Sequence, residues 1–479
     1  MFDFDSILSG NGQDGQVPFD QIAGLRKAMT AGTGIATPGS QVAGAAAPII
    51  PESLEAYLSI AIEQAEDLPM MRAIGPYKEK ALSPTEQWNT LEGVGADNTI
   101  FNGEVALPDE QDSSYVRRTI ELKPMGVTGR VSFRAQAART IAGIDSVMAQ
   151  EVENKTLFML RNIERAIFVG DSSIIPEQFD GLGRQIAAAN PENVFDARGA
   201  LLTRTLINRV AKGVRRAGNY GRLNTLFCSV NAYADLTEDV TNASSVNRAN
   251  YVQGTEIIYG VSAKKILTSF GVIDLIYSQF LVEGTAPATA GTVALRPATP
   301  LANGAVVAAP AAGSQFAAAD AGDYIYAIVG LSARGQSTTL QTAVVTVAAG
   351  DGVTIPIADG GNGTTGYIVY RTILNGAAST LREAFRVART GANQNIVDLN
   401  AALPGTSTAY LLSLDPRSIA WSELTPLTKF DLATVDTSNR FLLYTDAGLK
   451  VRTARKHAVI QNIGIANDEL APAGPNWVA

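Results

Sequence analysis

Between Ile144 and Ile186 the apolar positions recur at intervals of three and four residues, with Met148, Val152, Thr156, Met159, Ile163 and Ile167 in one stripe. That period predicts a single long helix over residues 145–169 with one face on a core. Asp145 or Ser146 can cap it, and Glu151 stands four residues before Lys155, the favourable order for a surface ion pair. Gly170 and Asp171 end it ahead of a turn at Phe179-Asp180-Gly181-Leu182. A second helix over 203–217 turns Leu206, Ile207, Val210 and Val214 inward, and Arg204, Arg209, Lys212, Arg215 and Arg216 to the other side. Residues 226–230 read as a short buried strand, 231–236 as the start of a helix, and 257–259, 265–267 and 272–277 as strands. Helices interleaved with strands in this order suit an α+β domain with helices laid on a sheet.

Upstream the pattern changes. Residues 1–48 are rich in Gly, Ala, Gln, Ser and Thr, with one short amphipathic patch at 19–29, and hold too little apolar surface for a core of their own. A helical segment follows over 51–74, carrying Leu54, Leu58, Ile62 and Leu68-Pro69. From Glu86 to Arg134 the chain reads as a two-stranded excursion, with extended residues at 87–89 and 115–127. Its middle is too polar and Gly-rich to bury. An excursion of this length inside a compact domain points to a partner outside that domain.

Composition shifts abruptly near Glu283. From there to Leu412 there is no lysine, charges are sparse, and Ala, Gly, Thr and Val dominate. Short strands at 324–329, 343–347, 353–357, 367–370 and 396–399, bounded by glycine-rich turns, indicate a β-sandwich. Asp323-Tyr324-Ile325-Tyr326, Gly335-Gln336-Ser337 and Gly366-Tyr367-Ile368-Val369-Tyr370-Arg371 resemble fibronectin type III or immunoglobulin-like modules. After 412 the earlier composition returns, with strand-like runs at 424–432, 440–444, 448–452 and 458–463. The sandwich therefore interrupts a host domain, and a self-contained module on the outer side of that host is expected.

A long one-sided helix stopped by Gly-Asp and a Phe-Asp-Gly-Leu turn resembles the spine helix of tailed-phage major capsid proteins, the Hong Kong 97-type shell fold. The order of the other parts is similar to that family as well. The resemblance implies an N-terminal arm (1–48), a peripheral or P domain (49–85 and 130–225), an extended loop or E-loop (86–129), an apical or A domain (226–282), the immunoglobulin-like insertion (283–412) and return strands of both domains (413–479). It implies self-assembly into hexamers and pentamers of an icosahedral head around DNA whose sequence is not read. Scaffolding, portal and decoration proteins are the further partners, and the virion, assembled in the host cytoplasm, is the expected location. Trp88, Arg117, Arg118 and Glu121 in the excursion and Arg215 and Arg216 in the basic helix are the candidate intersubunit residues. Two alternatives remain open: an encapsulin-like compartment shell, which usually lacks such an insertion, and a surface adhesin, which does not explain the spine helix.

Charge and candidate chemistry narrow the classes further. The net charge of −8 argues against a general nucleic-acid binder, so the basic helix is read as solvated or facing a neighbouring subunit rather than DNA. No apolar run approaches the length of about 20 that spans a bilayer, so no membrane partner is expected. His457 and Cys228 are each the single residue of their type, which leaves no Cys/His zinc set and no internal disulfide. No nucleophile elbow or phosphate-binding loop is present. An enzyme is not expected, nor a cofactor. Asp359-Gly360-Gly361-Asn362-Gly363 reads as a tight turn rather than a calcium loop. The family's lysine–asparagine crosslink has no placement here, because residues 92–114 contain no lysine.

Overall fold

The computed structural model describes residues 68–95, 104, 107, 110–137, 146–216, 220–242, 264–281, 284–287, 297–434 and 436–466. The expected arm, the positions Leu54, Leu58 and Ile62, most of the excursion's tip and the strand expected at 257–259 lie outside them. The chain divides into two compact units, one of residues 1–61 with 134–150 and one of 62–133 with 151–479. The first is described only at 134–137 and 146–150, in a short helix and at the start of a long one.

Helix α1 (Pro69–Ile74) precedes β1 (Lys78–Lys80), β2 (Thr85–Gly93), β3 (Ser114–Glu121), β4 (Lys123–Ser132) and the short α2 (Phe133–Ala137). The expected spine helix is α3 (Val147–Val169), carrying the Glu151–Lys155 pair at 3.4 Å. Only its second half is closely packed: Met159, Ile163, Glu164, Ile167 and Phe168 are buried, whereas Met148, Val152 and Thr156 are half-buried. The Phe-Asp-Gly-Leu turn fits against the end of α3. A Cβ on Gly181 would sit 2.7 Å from the carbonyl oxygens of Ala166 and Ile167, so only glycine allows this approach.

β2 and β3 form an antiparallel hairpin closed at its base by the Leu122 N–H donating to the Pro84 carbonyl at 2.8 Å. The expected run of extended residues 115–127 is corrected here. The hairpin strand stops at Glu121, and β4 enters a separate four-stranded sheet of order β1-β20-β21-β4, where β20 is Ile419–Leu432 and β21 is Ser438–Val451. Gly129 faces Phe441 so closely that a Cβ would lie 2.2 Å from the ring, a fit that ties β4 to β21.

Next come α4 (Leu182–Ala189), β5 (Val194–Asp196), α5 (Arg204–Arg215), β6 (Thr225–Cys228), α6 (Val230–Asn242), β7 (Lys265–Thr268) and β8 (Gly271–Tyr277). With β19 (Ser407–Leu412) and β22 (Ala458–Ile463) the strands make a six-stranded sheet of order β5-β22-β19-β6-β8-β7. The apolar stripe of α5 (Ile207, Val210, Val214) shares one core with Leu226, Cys228, Leu275, Leu411 and Ile460. The border expected between 225 and 226 therefore cuts through a single core, and α5 belongs with the sheet.

The inserted segment holds β9 (Leu301–Ala302), β10 (Val307–Pro310), β11 (Gly322–Tyr324), β12 (Tyr326–Ser332), β13 (Gly335–Gln341), β14 (Val345–Val347), β15 (Asp351–Ala358), β16 (Gly366–Arg371), β17 (Arg382–Ala388) and β18 (Asn393–Asp398). One sheet has the order β10-β15-β18 with β9 also on β15, a second has the order β13-β12-β16-β17, and β11 pairs with β14. Tyr326, Ile328, Tyr367 and Val369 of one sheet meet Val353, Ile355, Ile357 and Ile396 of the other in a common core. The expected border at 412 moves back: Tyr410 pairs with Phe227 and with Val459, so β19 is a host strand.

The segment expected to be a self-contained module also packs on the host. The opposite faces of β12 and β16, with Ala327, Val329, Ile368 and Tyr370, pack on Ile175 and Ile174 in the loop after the spine helix. Every residue of both strands is thus buried, which is why these runs are apolar without alternation.

Candidate intersubunit surface

Over 85–92 and 115–121 the hairpin alternates, and its two faces do different things. On the inner face, the Trp88 Nε1–H donates to the Arg452 carbonyl at 3.2 Å, and the Lys450 ammonium lies 5.4 Å from the centre of the Trp88 ring. Glu86 accepts from Lys450 at 2.9 Å and from the Ser422 hydroxyl at 2.7 Å. Glu92 joins Arg118 at 2.9 Å and Arg455 at 3.1 Å. Exposed ion pairs contribute about 0–1 kcal/mol each, but Glu86, Glu92 and Lys450 are largely enclosed, so this network ties the hairpin firmly to its own chain.

Trp88 and Arg118 point inward and are engaged with their own chain, because the period of two places them on the face that meets β21 and the residues after it. Arg117 and Glu121 do lie on the outer face, with Arg117 Nε 3.3 Å from Asn89 Oδ1 and Glu121 paired with Lys123 at 2.6 Å. Arg215 and Arg216 are exposed at the end of α5, where Arg215 Nη1 reaches the Gly221 carbonyl at 3.4 Å. Among the described residues, no hydrogen bond or ion pair joins them to the hairpin. Sequence reasoning missed Leu91 and Tyr115, directly paired across the hairpin and exposed at 50% and 67%. Their signal was there: two large apolar residues in phase with the polar outer positions.

The residues with catalytic potential are enclosed. Burial pushes the Cys228 thiol up to about 12. Burial also pushes His457 down to about 4, and its Nδ1 accepts the Ser413 N–H at 3.2 Å, a neutral ring used as a core acceptor. Asp359 accepts the Gly361 N–H at 3.1 Å and pairs with Arg389 at 2.9 Å, so its oxygens hold the turn together. No cluster of three or more metal-ligating side chains occurs among the described residues.

The hairpin is thus tied to its own chain on one face and carries the exposed apolar pair Leu91 and Tyr115 on the other. The sequence profile of the SU10 major capsid protein matches residues 7–296 of this chain. The chain belongs to that family. It is 24% identical over 463 residues to the major capsid protein of Staphylococcus phage K, covering 91% of this chain and 94% of that protein. A putative major capsid protein of Enterococcus phage phiEF24C is likewise 24% identical over 467 residues. Among solved structures, the capsid of a native GTA particle aligns over 89% of this chain and 100% of its own at 8% identity and TM-score 0.46. The SrpI encapsulin of Synechococcus elongatus PCC 7942 aligns over 90% and 98% at 10% identity and TM-score 0.45. This major capsid protein is a structural subunit of a phage head shell, an assembly of many copies in the virion. The α+β organisation expected from the spine helix and its surroundings is the one found.

Proposed function

We propose that copies of this subunit tile as hexamers and pentamers of an icosahedral head, each laying the outer face of its hairpin on a neighbouring copy. The observation that carries this is the division of labour within the hairpin. Its inner face is held by the subunit's own Lys450, Arg452 and Arg455, and its outer face presents Leu91 and Tyr115 to solvent. Exposed apolar pairs on a rigid element favour association. The inserted module, over about 297–400, projects from the outer side of the shell. The shell encloses DNA without reading its sequence, catalyses no reaction and is built in the host cytoplasm. Scaffolding, portal and decoration proteins are its partners there.

The test is to change Leu91 and Tyr115 together to Asp and follow assembly by electron microscopy and sedimentation. Folded, soluble subunits without closed shells are expected. Closed shells of normal number and heat stability would overturn the hairpin's role.

A further inference from the structure

Glu164 is buried on the spine helix with no exposed surface, and its two carboxylate oxygens accept the Met70 and Met71 N–H groups, each at 2.7 Å. These are donors of the first turn of α1 that have no partner within their own helix, so one side chain of α3 holds α1 in place. No described cation lies within ion-pair distance of it. Arg72, on α1 itself, is exposed, and Lys78 beyond α1 pairs with Glu423 of β20 at 3.0 Å. On its own helix, Arg161 lies over the Phe158 ring, and Arg165 feels Arg386 and Glu383.

We propose that Glu164 is a proton-operated latch, in which protonation of its enclosed carboxyl group tightens the docking of α1 on the spine helix and ionisation loosens it. A buried carboxylate without a counter-charge is costly, and two neutral N–H donors offset only part of that cost. Burial accordingly raises its pKa from 4.5 to about 7, against the opposing pull of the bonds from Met70 and Met71. The sign follows from linkage. The docked state binds more protons than the undocked state between these two values, so docking is strongest at the acid end and weakens as pH rises towards neutrality.

The test is hydrogen exchange of the full-length, unassembled subunit. Protection of residues 69–74, corrected for intrinsic exchange, is followed from about pH 5 to about pH 8 in the wild type and in Glu164→Gln, with β21 as the reference segment. In the wild type, protection should fall by about one to two powers of ten between pH 5 and 7 and then level off, while β21 stays flat. The Gln variant should show no such pH dependence, whatever its absolute protection. Wild-type protection that does not change with pH would overturn the latch. So would a Gln variant that keeps the wild-type dependence.

Discussion

Arg371 and Asp398 form an ion pair at 2.6 Å in the interior of the inserted module, with both side chains almost fully enclosed. Asp398 also accepts the Tyr326 hydroxyl at 3.0 Å, Arg371 donates to Asn400 Oδ1 at 2.7 Å, and the guanidinium lies over the Phe316 and Tyr324 rings. The pair ties β12, β16 and the end of β18 at one point. Burial raises the Tyr326 hydroxyl's pKa, helped by the neighbouring carboxylate, so it stays a donor at every working pH.

Removing one partner should therefore cost more than removing both. Asp398→Ala leaves a buried guanidinium unpaired, and a loss of about 3–5 kcal/mol is expected. The double change of Arg371→Met with Asp398→Leu should recover much of it. Urea denaturation of the unassembled subunit, with the module followed by hydrogen exchange, checks the order. A double variant no more stable than Asp398→Ala would contradict it.

The contact of Ile174 and Ile175 with β12 and β16 couples the module to the host. Ile175→Ala should cost about 2–4 kcal/mol, the range for truncating a buried branched side chain. Replacing 297–400 by a Gly/Ser linker should strip cover from Ile175 and lower soluble yield. Hydrogen exchange at β12 and a yield comparison test this. A linker variant as soluble and heat-stable as the parent would show that the contact is dispensable.

Glu86 and Glu92 anchor the hairpin through charge, so the anchorage should respond to salt. Changing both to Gln should raise exchange in 85–93 and 114–121, with a loss of about 1–3 kcal/mol in local stability. Raising ionic strength in the wild type should move it part of the way, because screening acts on the exposed Arg455 and the half-buried Arg118 more than on enclosed Lys450.

His457 supplies an acid-side effect of opposite sign to Glu164. Its buried neutral ring titrates near 4, against 6.5 when unfolded. The folded state binds fewer protons between those values, so stability is full above 6.5 and is lost as pH falls towards 4, by up to about 3 kcal/mol. His457→Gln, which keeps an acceptor for the Ser413 N–H, should flatten that slope in denaturant midpoints measured across the window. An unchanged slope would assign the acid loss to other groups.

What the sequence determined by itself was local. The stripe from Met148 to Ile167 sufficed for the bounds of α3, because a helix closes its hydrogen bonds within four residues and needs no partner to be recognised. The apolar face of α5, the turn at Gly181, the alternation of the hairpin and the compositional shift after Glu283 were legible for the same reason. Tertiary structure decided whatever required a second strand. Alternation says which residues share a face, not which neighbour completes the ladder. So Lys123–Ser132 left the hairpin for β21, Ser407–Leu412 returned to the host sheet, and Trp88 turned towards Arg452 rather than outward. Likewise the unbroken apolar run of β12 announced burial on two sides, but that the second side is Ile174 and Ile175 depended on a loop some 150 residues away in the chain, and no local pattern encodes such a contact.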